Sequence, residues 1–213
     1  MRARGGTKRL EGKVIVKAGY NKIARAYLAT RDAAHDDVRL LDDLIARLPQ
    51  GAVVLDAGCG GGLPVTRILA EHFDVTGVDF AEEQIRLARD NVPNAKFVCE
   101  DMTALTFADA TFDAIVSHYA IIHVPRDEHA GLFANFQRML KPGGFALLGL
   151  GGDDLDDDIE EDYFGARMYW SHFDANTSAD MVRQAGFEIV WSRLIADTPS
   201  GYHLYVLGRK ASG

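Results

Sequence analysis

Cysteine and long apolar runs are both scarce in this chain of 213 residues. The two cysteines, Cys59 and Cys99, are too few for a disulfide framework, so we expect free thiols and a reducing, cytoplasmic setting. No apolar run reaches the roughly 18 residues that a membrane-spanning helix needs. The basic N-terminus MRARGGTKRLEGK is not followed by the apolar segment of a secretory signal. These absences predict a protein that has no membrane partner.

The chain also lacks any surplus of basic residues, since its formal net charge is -8. Residues 153–162 (DDLDDDIEED) carry eight of the 31 acidic residues and no base, and the rest is balanced at 23 of each sign. This balance argues against a general nucleic-acid binder. An acidic run is typical of a solvated loop, although a metal site or a gate for cationic acceptors remains an alternative. The run lacks the spacing of an EF-hand loop.

The pattern along the chain predicts one α/β domain over residues 20–213, after a flexible basic tail over 1–19. A helical segment over 20–48 precedes strand-length apolar runs that alternate with helical patterns as far as residue 150. This alternation predicts βαβ units and a largely parallel sheet. An acidic and aromatic insert follows over 151–174. A helix and two β-rich runs, close enough to form an antiparallel hairpin, end the chain.

The segment most informative about chemistry is Asp56-Ala57-Gly58-Cys59-Gly60-Gly61-Gly62, which follows the first predicted strand and opens a helix. Glycines allow positive φ angles and a close approach of ligand to backbone, and open α/β sheets bind ligands at this edge. The dinucleotide pattern G-x-G-x-x-G does not fit, because Leu63 or Val65 stands where the final small residue is needed.

Five segments in order resemble the motifs of class I S-adenosylmethionine-dependent methyltransferases. They are VVLDAGCGGG, DVTGVDFAEEQI, FVCEDMTAL, FDAIVSHYAIIHV and RMLKPGGFALLGL. The resemblance covers roughly residues 20 to 209. It implies a Rossmann-like, seven-stranded and mostly parallel sheet in the order 3-2-1-4-5-7-6, with helices on both faces and a C-terminal antiparallel hairpin. It also implies that S-adenosyl-L-methionine is the cofactor and S-adenosyl-L-homocysteine the product.

The resemblance further implies which residues hold the cofactor. Asp79 matches the acid that accepts hydrogen bonds from both ribose hydroxyls, and Asp101 and Met102 match the pair beside the adenine. Ser117 and His118 match positions near the sulfonium. The full predicted cofactor set is Asp56, Gly58, Cys59, Gly60, Asp79, Phe80, Asp101, Met102, Ser117 and His118.

Histidines and aromatic residues are the candidates for the acceptor side. His118, His123 and His172 are the predicted catalytic residues, as proton acceptors or as groups that orient the acceptor; a structural role is the alternative. The predicted acceptor-binding residues are Tyr20, Tyr119, Tyr169, Trp170 and His172. The aromatic residues of the insert could equally form a small core of their own, and Tyr20 could simply pack its helix.

These features together predict methyl transfer to an oxygen or nitrogen of a small molecule. A non-catalytic binder of S-adenosylmethionine and, less favoured, a nicotinamide-dependent oxidoreductase are the alternatives. The sequence leaves open the acceptor and whether the protein is a monomer or a homodimer.

Overall fold

Strands alternate with helices along most of the chain, and the computed structural model describes residues 3–31, 33, 35–198 and 201–212. The helices are α1 Ala3–Leu28, α2 Asp36–Arg39, α3 Leu41–Arg47, α4 Val65–Ala70, α5 Glu82–Asn91, α6 His129–Met139 and α7 Ala175–Gln184. The strands are β1 Val53–Ala57, β2 Asp74–Asp79, β3 Lys96–Cys99, β4 Phe112–Ser117, β5 Leu140–Gly151, β6 Leu155–Tyr163, β7 Ala166–His172, β8 Phe187–Thr198 and β9 Gly201–Lys210. None of the described helices is long and apolar enough to cross a bilayer.

Seven strands form one sheet in the order β3-β2-β1-β4-β5-β9-β8. The first five in this order pair in parallel, while β9 pairs antiparallel with both β5 and β8. The predicted fold class, strand order and C-terminal hairpin are therefore confirmed. The order reverses at β1, so the carboxyl ends of β1 and β4 flank the crevice in which α/β sheets bind ligands.

The central strands of the sheet are buried on both faces and carry apolar residues at most positions. In β5, Leu148 and Leu150 pack with Phe133 of α6 on one face. Their neighbour Leu147 points to the opposite face and packs with Leu69 of α4. Successive side chains in a strand alternate between the two faces, which explains why these strands read as continuous apolar runs.

The prediction of a flexible tail over residues 1–19 is wrong where the structure describes it, because α1 begins at residue 3. Ile15 and Val16 are buried in a small core that α1 shares with Met168 of β7. Gly12 and Gly19 are buried too, and their missing side chains let the helix lie close to β7. Burial against a distant strand thus orders a segment whose basic composition suggested mobility.

We expect Gly19→Val to detach α1 from β7. A Cβ atom at residue 19 would lie 2.8 Å from the backbone oxygen of Arg167, so helix or strand must move. Overpacking of this kind costs about 1–3 kcal/mol, and hydrogen exchange of the α1 amides should speed up accordingly. Ala18→Val is the matched control, because Ala18 is exposed on the same helix. Equal exchange in the two variants would contradict the packing described for α1.

The predicted helical segment over 20–48 is also broken into three parts. α1 ends at Leu28, and the short helices α2 and α3 follow an irregular stretch that contains Arg31. Across this stretch Arg31 forms an ion pair with the buried Asp37, with 3.0 Å between Nη2 and Oδ2. This break places both side chains near the carboxyl end of β4, where His118 follows Ser117.

The acidic run over 153–162 is not a loop, as was expected, but falls largely within β6, which pairs antiparallel with β7. Leu155 and Ile159 are partly buried, whereas Asp156, Asp158 and Glu160 between or beside them are exposed. This alternation is the period of a strand, and the concentration of charge conceals it in the sequence. Among the described residues, no group of His, Cys, Asp and Glu side chains is arranged to hold a metal ion.

Candidate functional site

A cleft of about 950 Å³, including its open mouth, lies at the carboxyl ends of β1, β2 and β4. Its floor is the glycine loop that follows β1, and its roof is the inner face of α1. The predicted residues that line it are Tyr20, Asp56, Gly58, Cys59, Gly60, Asp79, Phe80, Asp101, Met102, His118, Tyr119 and His123. The fold thus brings twelve candidates from five separate segments to one cavity.

The glycine loop is held by backbone hydrogen bonds to β2. The amides of Gly58 and Cys59 donate to the carbonyl oxygen of Val78 at 2.7 and 2.9 Å. Gly58 and Gly60 have φ angles of 81° and 53°, which other residues rarely adopt. The turn therefore presents bare backbone to the cleft.

Asp79 ties this loop to the end of β2. Its Oδ2 accepts the Gly60 N–H at 3.1 Å and its Oδ1 accepts the Ala81 N–H at 2.9 Å. Burial raises the pKa of Asp79 to about 6, although hydrogen bonds from the Ala81 and Gly60 amides act in the opposite direction. A partly buried carboxylate that can accept further hydrogen bonds suits a ligand that brings hydroxyl donors.

Asp56 lies beneath the loop and is 1% exposed. The Thr66 hydroxyl donates to its Oδ2 at 2.6 Å. Burial raises the pKa of Asp56 to about 7; the Thr66 hydrogen bond lowers it and the nearby charge of Asp79 raises it further.

The pH dependence of stability should reveal this buried acid. Between pH 4 and 7 the folded state holds a proton on Asp56 that the unfolded state has lost. The contribution of Asp56 to the free energy of unfolding is therefore present at low pH and lost as the pH rises through about 7. Relative to wild type, the free energy of unfolding of Asp56→Asn should increase by on the order of 2 kcal/mol between pH 5 and 8.5. Thermal denaturation of the ligand-free protein measures this difference.

The prediction compares a variant with wild type because two buried histidines change the free energy of unfolding with pH in the direction opposite to that of Asp56. Burial lowers the pKa of His123 and of His129 to about 4, so their contribution is present above pH 6.5 and lost as the pH falls. Both remain in Asp56→Asn and cancel in the difference. Asp42→Asn, an exposed change on α3, is the control. A difference that does not vary with pH would show that Asp56 is not a buried, ionisable acid.

At the adenine end of the predicted site, Asp101 has a partner that the sequence did not indicate. Lys13 of α1 lies with Nζ 2.9 Å from Oδ2 of Asp101 and 2.6 Å from Oε2 of Glu128. Oδ1 of Asp101 accepts the Thr103 N–H at 2.9 Å. Burial would raise the pKa of Asp101, but the Thr103 amide and Lys13 outweigh it and hold the pKa below its usual value. The carboxylate is thus ionised, and it helps to fasten α1 over the cleft.

The residues around the glycine loop fit S-adenosylmethionine. Oε1 of Gln84 is buried beside the loop and has no hydrogen-bond partner among the described residues. This orphaned acceptor, together with Asp56 and Asp79, suits a ligand that carries positive charge and N–H or O–H donors.

On the opposite side of the cleft, Tyr20 and His123 form a hydrogen-bonded pair. Nδ1 of His123 lies 2.7 Å from the backbone oxygen of Tyr169 and therefore carries the proton. Nε2 then accepts the Tyr20 hydroxyl at 2.8 Å. Burial, opposed by the Tyr169 hydrogen bond, lowers the pKa of His123 to about 4, so the ring is neutral at pH 7. Tyr27 packs edge-on against Tyr20, with 5.4 Å between ring centroids.

A second polar group on the same side of the cleft as Tyr20 and His123 consists of Asp37, Arg31 and His118. Oδ2 of Asp37 lies 3.0 Å from Nη2 of Arg31 and 3.7 Å from Nδ1 of His118. The guanidinium of Arg31 stacks on the ring of Tyr119 at 4.3 Å. Burial would raise the pKa of Asp37, but contact with His118 and the charge of Arg31 hold it below its usual value. Asp37 is therefore ionised within the protein.

Four predicted residues are not among the described residues that line the cleft. The Ser117 hydroxyl donates to the Ala57 oxygen at 2.7 Å and joins β4 to β1. The Tyr169 ring packs on Gly12, and its hydroxyl donates a hydrogen bond to Asp157. The Trp170 ring packs against the ring of His123, with 4.3 Å between the centroids. His172 bonds the Asp153 oxygen through Nδ1 at 2.8 Å. The insert thus supports the acceptor side from outside.

The residues that the sequence did not indicate come mainly from the N-terminal segment. Lys13 and Tyr27 flank the predicted residue Tyr20 at seven-residue steps, so all three lie on one face of α1. This spacing is a periodic signal that could have identified Lys13 and Tyr27 in the sequence. Arg31 and Asp37 follow the end of α1, and no pattern in the sequence marks them.

Comparison with known proteins agrees with this geometry. Residues 54–144 match the model of a methyltransferase domain family. The chain is 39% identical over 106 residues to 2-methyl-6-phytyl-1,4-hydroquinone methyltransferase of Synechocystis sp., which covers 47% of this chain and 32% of that protein. It is 30% identical over 161 residues to the ubiquinone biosynthesis O-methyltransferase of Coxiella burnetii, which covers 73% and 56%. The chain thus spans from about a third to just over half the length of these two relatives.

Among solved structures, the chain resembles 1,6-didemethyltoxoflavin-N1-methyltransferase of Burkholderia thailandensis, determined with bound 1,6-didemethyltoxoflavin and S-adenosylhomocysteine. The TM-score is 0.70 at 21% identity, over 99% of this chain and 91% of that one. Similarity at this level of identity concerns the fold. The motifs, the matched family model and the fold together identify this chain as a member of the class I S-adenosylmethionine-dependent methyltransferases.

Proposed function

We propose that the protein transfers the methyl group of S-adenosylmethionine to an oxygen or nitrogen atom of a small molecule. The observation that carries this proposal is the single cleft that runs from Asp79 and the glycine loop to the polar groups around His118 and Tyr20. One end offers carboxylates and bare backbone, and the other offers aromatic rings and hydrogen-bonding groups. Such a cavity suits a cofactor beside a small acceptor.

In this proposal Asp79 accepts the ribose hydroxyls, with Phe80 beside it. Gly58, Cys59 and Gly60 present their backbone to the methionine portion, and Asp101 and Met102 hold the adenine.

S-adenosylmethionine supplies a methyl group already activated by its sulfonium, so the protein needs no nucleophile of its own. Alignment of the reactants then accounts for much of the rate, on the order of 7–11 kcal/mol. The α1 roof, fastened by Lys13, keeps water from the reactants.

The acceptor side of the proposed site is formed by Tyr20, Tyr119, His118 and His123. Because His123 holds the Tyr20 hydroxyl as a donor, the Tyr20 oxygen keeps lone pairs that can orient an acceptor. A small molecule fits this enclosed space better than a nucleic acid does. We also propose a cytoplasmic location, which both free thiols suit.

Two experiments test the proposal. Calorimetry should detect binding of S-adenosylhomocysteine and none of NAD; the reverse result would favour the oxidoreductase. Labelled methyl transfer from S-adenosylmethionine into a metabolite extract then distinguishes an enzyme from a binding protein. Label should appear in a small-molecule fraction, and binding without transfer to any acceptor would favour the non-catalytic alternative.

A further inference from the structure

The group formed by Arg31, Asp37 and His118 contains unsatisfied polar atoms at the acceptor end of the cleft. Asp37 is fully buried and His118 is 7% exposed. Neither ring nitrogen of His118, nor Oδ1 of Asp37, has a hydrogen-bond partner among the described residues. Leaving such buried groups without a hydrogen bond is unfavourable, so their retention beside a cleft points to a ligand.

The other two candidate histidines already have partners. Both ring nitrogens of His123 are hydrogen-bonded, one to the Tyr169 oxygen and one to the Tyr20 hydroxyl. His172 bonds the Asp153 oxygen and does not belong to the described lining of the cleft. His118 is therefore the candidate whose ring can exchange a proton with a bound acceptor.

We infer that Asp37 orients His118 as the proton acceptor for a hydroxyl group of the methyl acceptor; this inference rests on the proposed function. Nδ1 of His118 already faces Oδ2 of Asp37 at 3.7 Å, and a movement of less than 1 Å makes this a hydrogen bond. With the proton held on Nδ1, the lone pair is on Nε2. Arg31 holds the same carboxylate oxygen, with 3.0 Å between Nη2 and Oδ2. His118 is the catalytic residue, and Asp37 and Arg31 are positioning residues.

The proposed step accounts for every proton and electron pair. The hydroxyl proton of the acceptor moves to Nε2 of His118 while the oxygen forms its bond to the methyl carbon. The bond between that carbon and sulfur breaks, and its electron pair stays on sulfur as a neutral thioether. The imidazolium is stabilised by Asp37 until its proton passes to solvent.

This arrangement favours a hydroxyl over an amine acceptor. A neutral amine attacks with its own lone pair and loses its proton afterwards, so it gains little from a base. A protonated amine would meet the positive charge of Arg31. The rings of Tyr20, Tyr27 and Tyr119 line the same end of the cleft and suit a flat molecule. The structure thus points to a phenol or an enol.

The environment of His118 includes further groups that bear on its proton. Besides Asp37 and Arg31, the ring of Tyr205 on β9 lies 5.3 Å away, and Tyr119 is the next residue in the chain. A tyrosine hydroxyl can both donate and accept a hydrogen bond, so it does not by itself fix which nitrogen is protonated. The charges that decide which nitrogen is protonated are therefore those of Asp37 and Arg31.

Nitrogen-15 NMR of the full chain at pH 8.5, where ordinary imidazoles are neutral, tests the inference without any acceptor. The His118 signals are assigned by their loss in His118→Gln. We expect the proton on Nδ1 in wild type and on Nε2 in Asp37→Asn. Asp37→Glu should retain the wild-type form, and Asp36→Asn, an exposed change beside Asp37, should not alter it. Protonation of Nε2 in wild type would overturn the inference, whether or not the Asp37 variants fold.

A second measurement uses catechol and 4-nitrocatechol as methyl acceptors. Nitrocatechol is largely ionised at neutral pH and needs no base. In His118→Gln and Asp37→Asn, kcat for catechol should fall by about 10²- to 10⁴-fold more than kcat for nitrocatechol. Equal losses for both acceptors would overturn the proton-accepting role. Failure to bind S-adenosylhomocysteine would instead overturn the proposed function, and the NMR result would still decide the Asp37–His118 pair.

Discussion

Gly58→Ala is expected to cost the protein both stability and its cofactor site. A Cβ atom at residue 58 would lie 2.1 Å from Cβ of Ala120 and 3.0 Å from Cε of Met102. The φ angle of 81° adds backbone strain. The two effects together should lower the free energy of unfolding by about 2–5 kcal/mol. Because the glycine loop must move to relieve the contact, affinity for S-adenosylhomocysteine should fall at least about tenfold, or 1.4 kcal/mol.

Gly51→Ala separates the two causes. Gly51 has a similar φ angle of 74°, but a Cβ atom there would meet nothing within 4 Å. This control should show only the backbone cost, about 1–2 kcal/mol, and normal ligand binding. Thermal denaturation gives the first quantity and calorimetry the second. Equal effects of the two substitutions would contradict the close approach of the loop to Ala120.

The second large effect is expected at Asp79. Asp79→Ala removes the acceptor of the Gly60 and Ala81 amides as well as the proposed partner of the ribose. Loss of charge-assisted hydrogen bonds should weaken binding of S-adenosylhomocysteine by at least roughly 1.5 kcal/mol. Asp79→Asn keeps one acceptor oxygen and should lose less. Asp74→Asn, at the exposed opposite end of β2, is the matched control.

The pH dependence of binding gives an independent check on Asp79. Its pKa of about 6, raised by burial, means that the wild-type carboxylate takes up a proton as the pH falls through 6 and then accepts hydrogen bonds less well. Affinity should therefore decline below pH 6 in wild type, and this decline should be smaller in Asp79→Asn. Because the charge of Asp79 raises the pKa of Asp56, the titration of Asp56 also shifts in Asp79→Asn, and Asp56→Asn is the reference that separates the two. Unchanged affinity in Asp79→Ala would disprove the ribose assignment.

That the proposed cofactor-binding residues lie together could be predicted from the sequence, because they are close to one another along the chain or at the ends of neighbouring strands. Asp56, the glycines and Asp79 stand at the ends of strands or in the turns that follow them, and parallel strands bring such ends to one edge. Once the strands are recognised, the position of Asp79 beside Gly60 follows from chain connectivity. The same reasoning correctly predicted the sheet and its C-terminal hairpin.

The acceptor side depends on contacts between segments that are far apart in the sequence. Asp37 reaches His118, Lys13 reaches Asp101, and the backbone of Tyr169 fixes the proton on His123. No periodicity encodes these pairs, since each results from how α1, the insert and β4 pack together. Packing also made a helix of the expected tail and a strand of the acidic run, because the burial of a few apolar residues outweighed a composition typical of solvated chain.

The sequence, with few cysteines, no long apolar run and one glycine loop, was thus enough to define the fold class and the cofactor chemistry, because both depend on neighbours along the chain. Which histidine is available for proton transfer depends on its hydrogen-bond partners, and these come from other elements of the folded chain. His118 and His123 are nearly equivalent in the sequence. They differ in the structure because other elements supply hydrogen-bond partners for both ring nitrogens of His123, and the described residues supply none for those of His118.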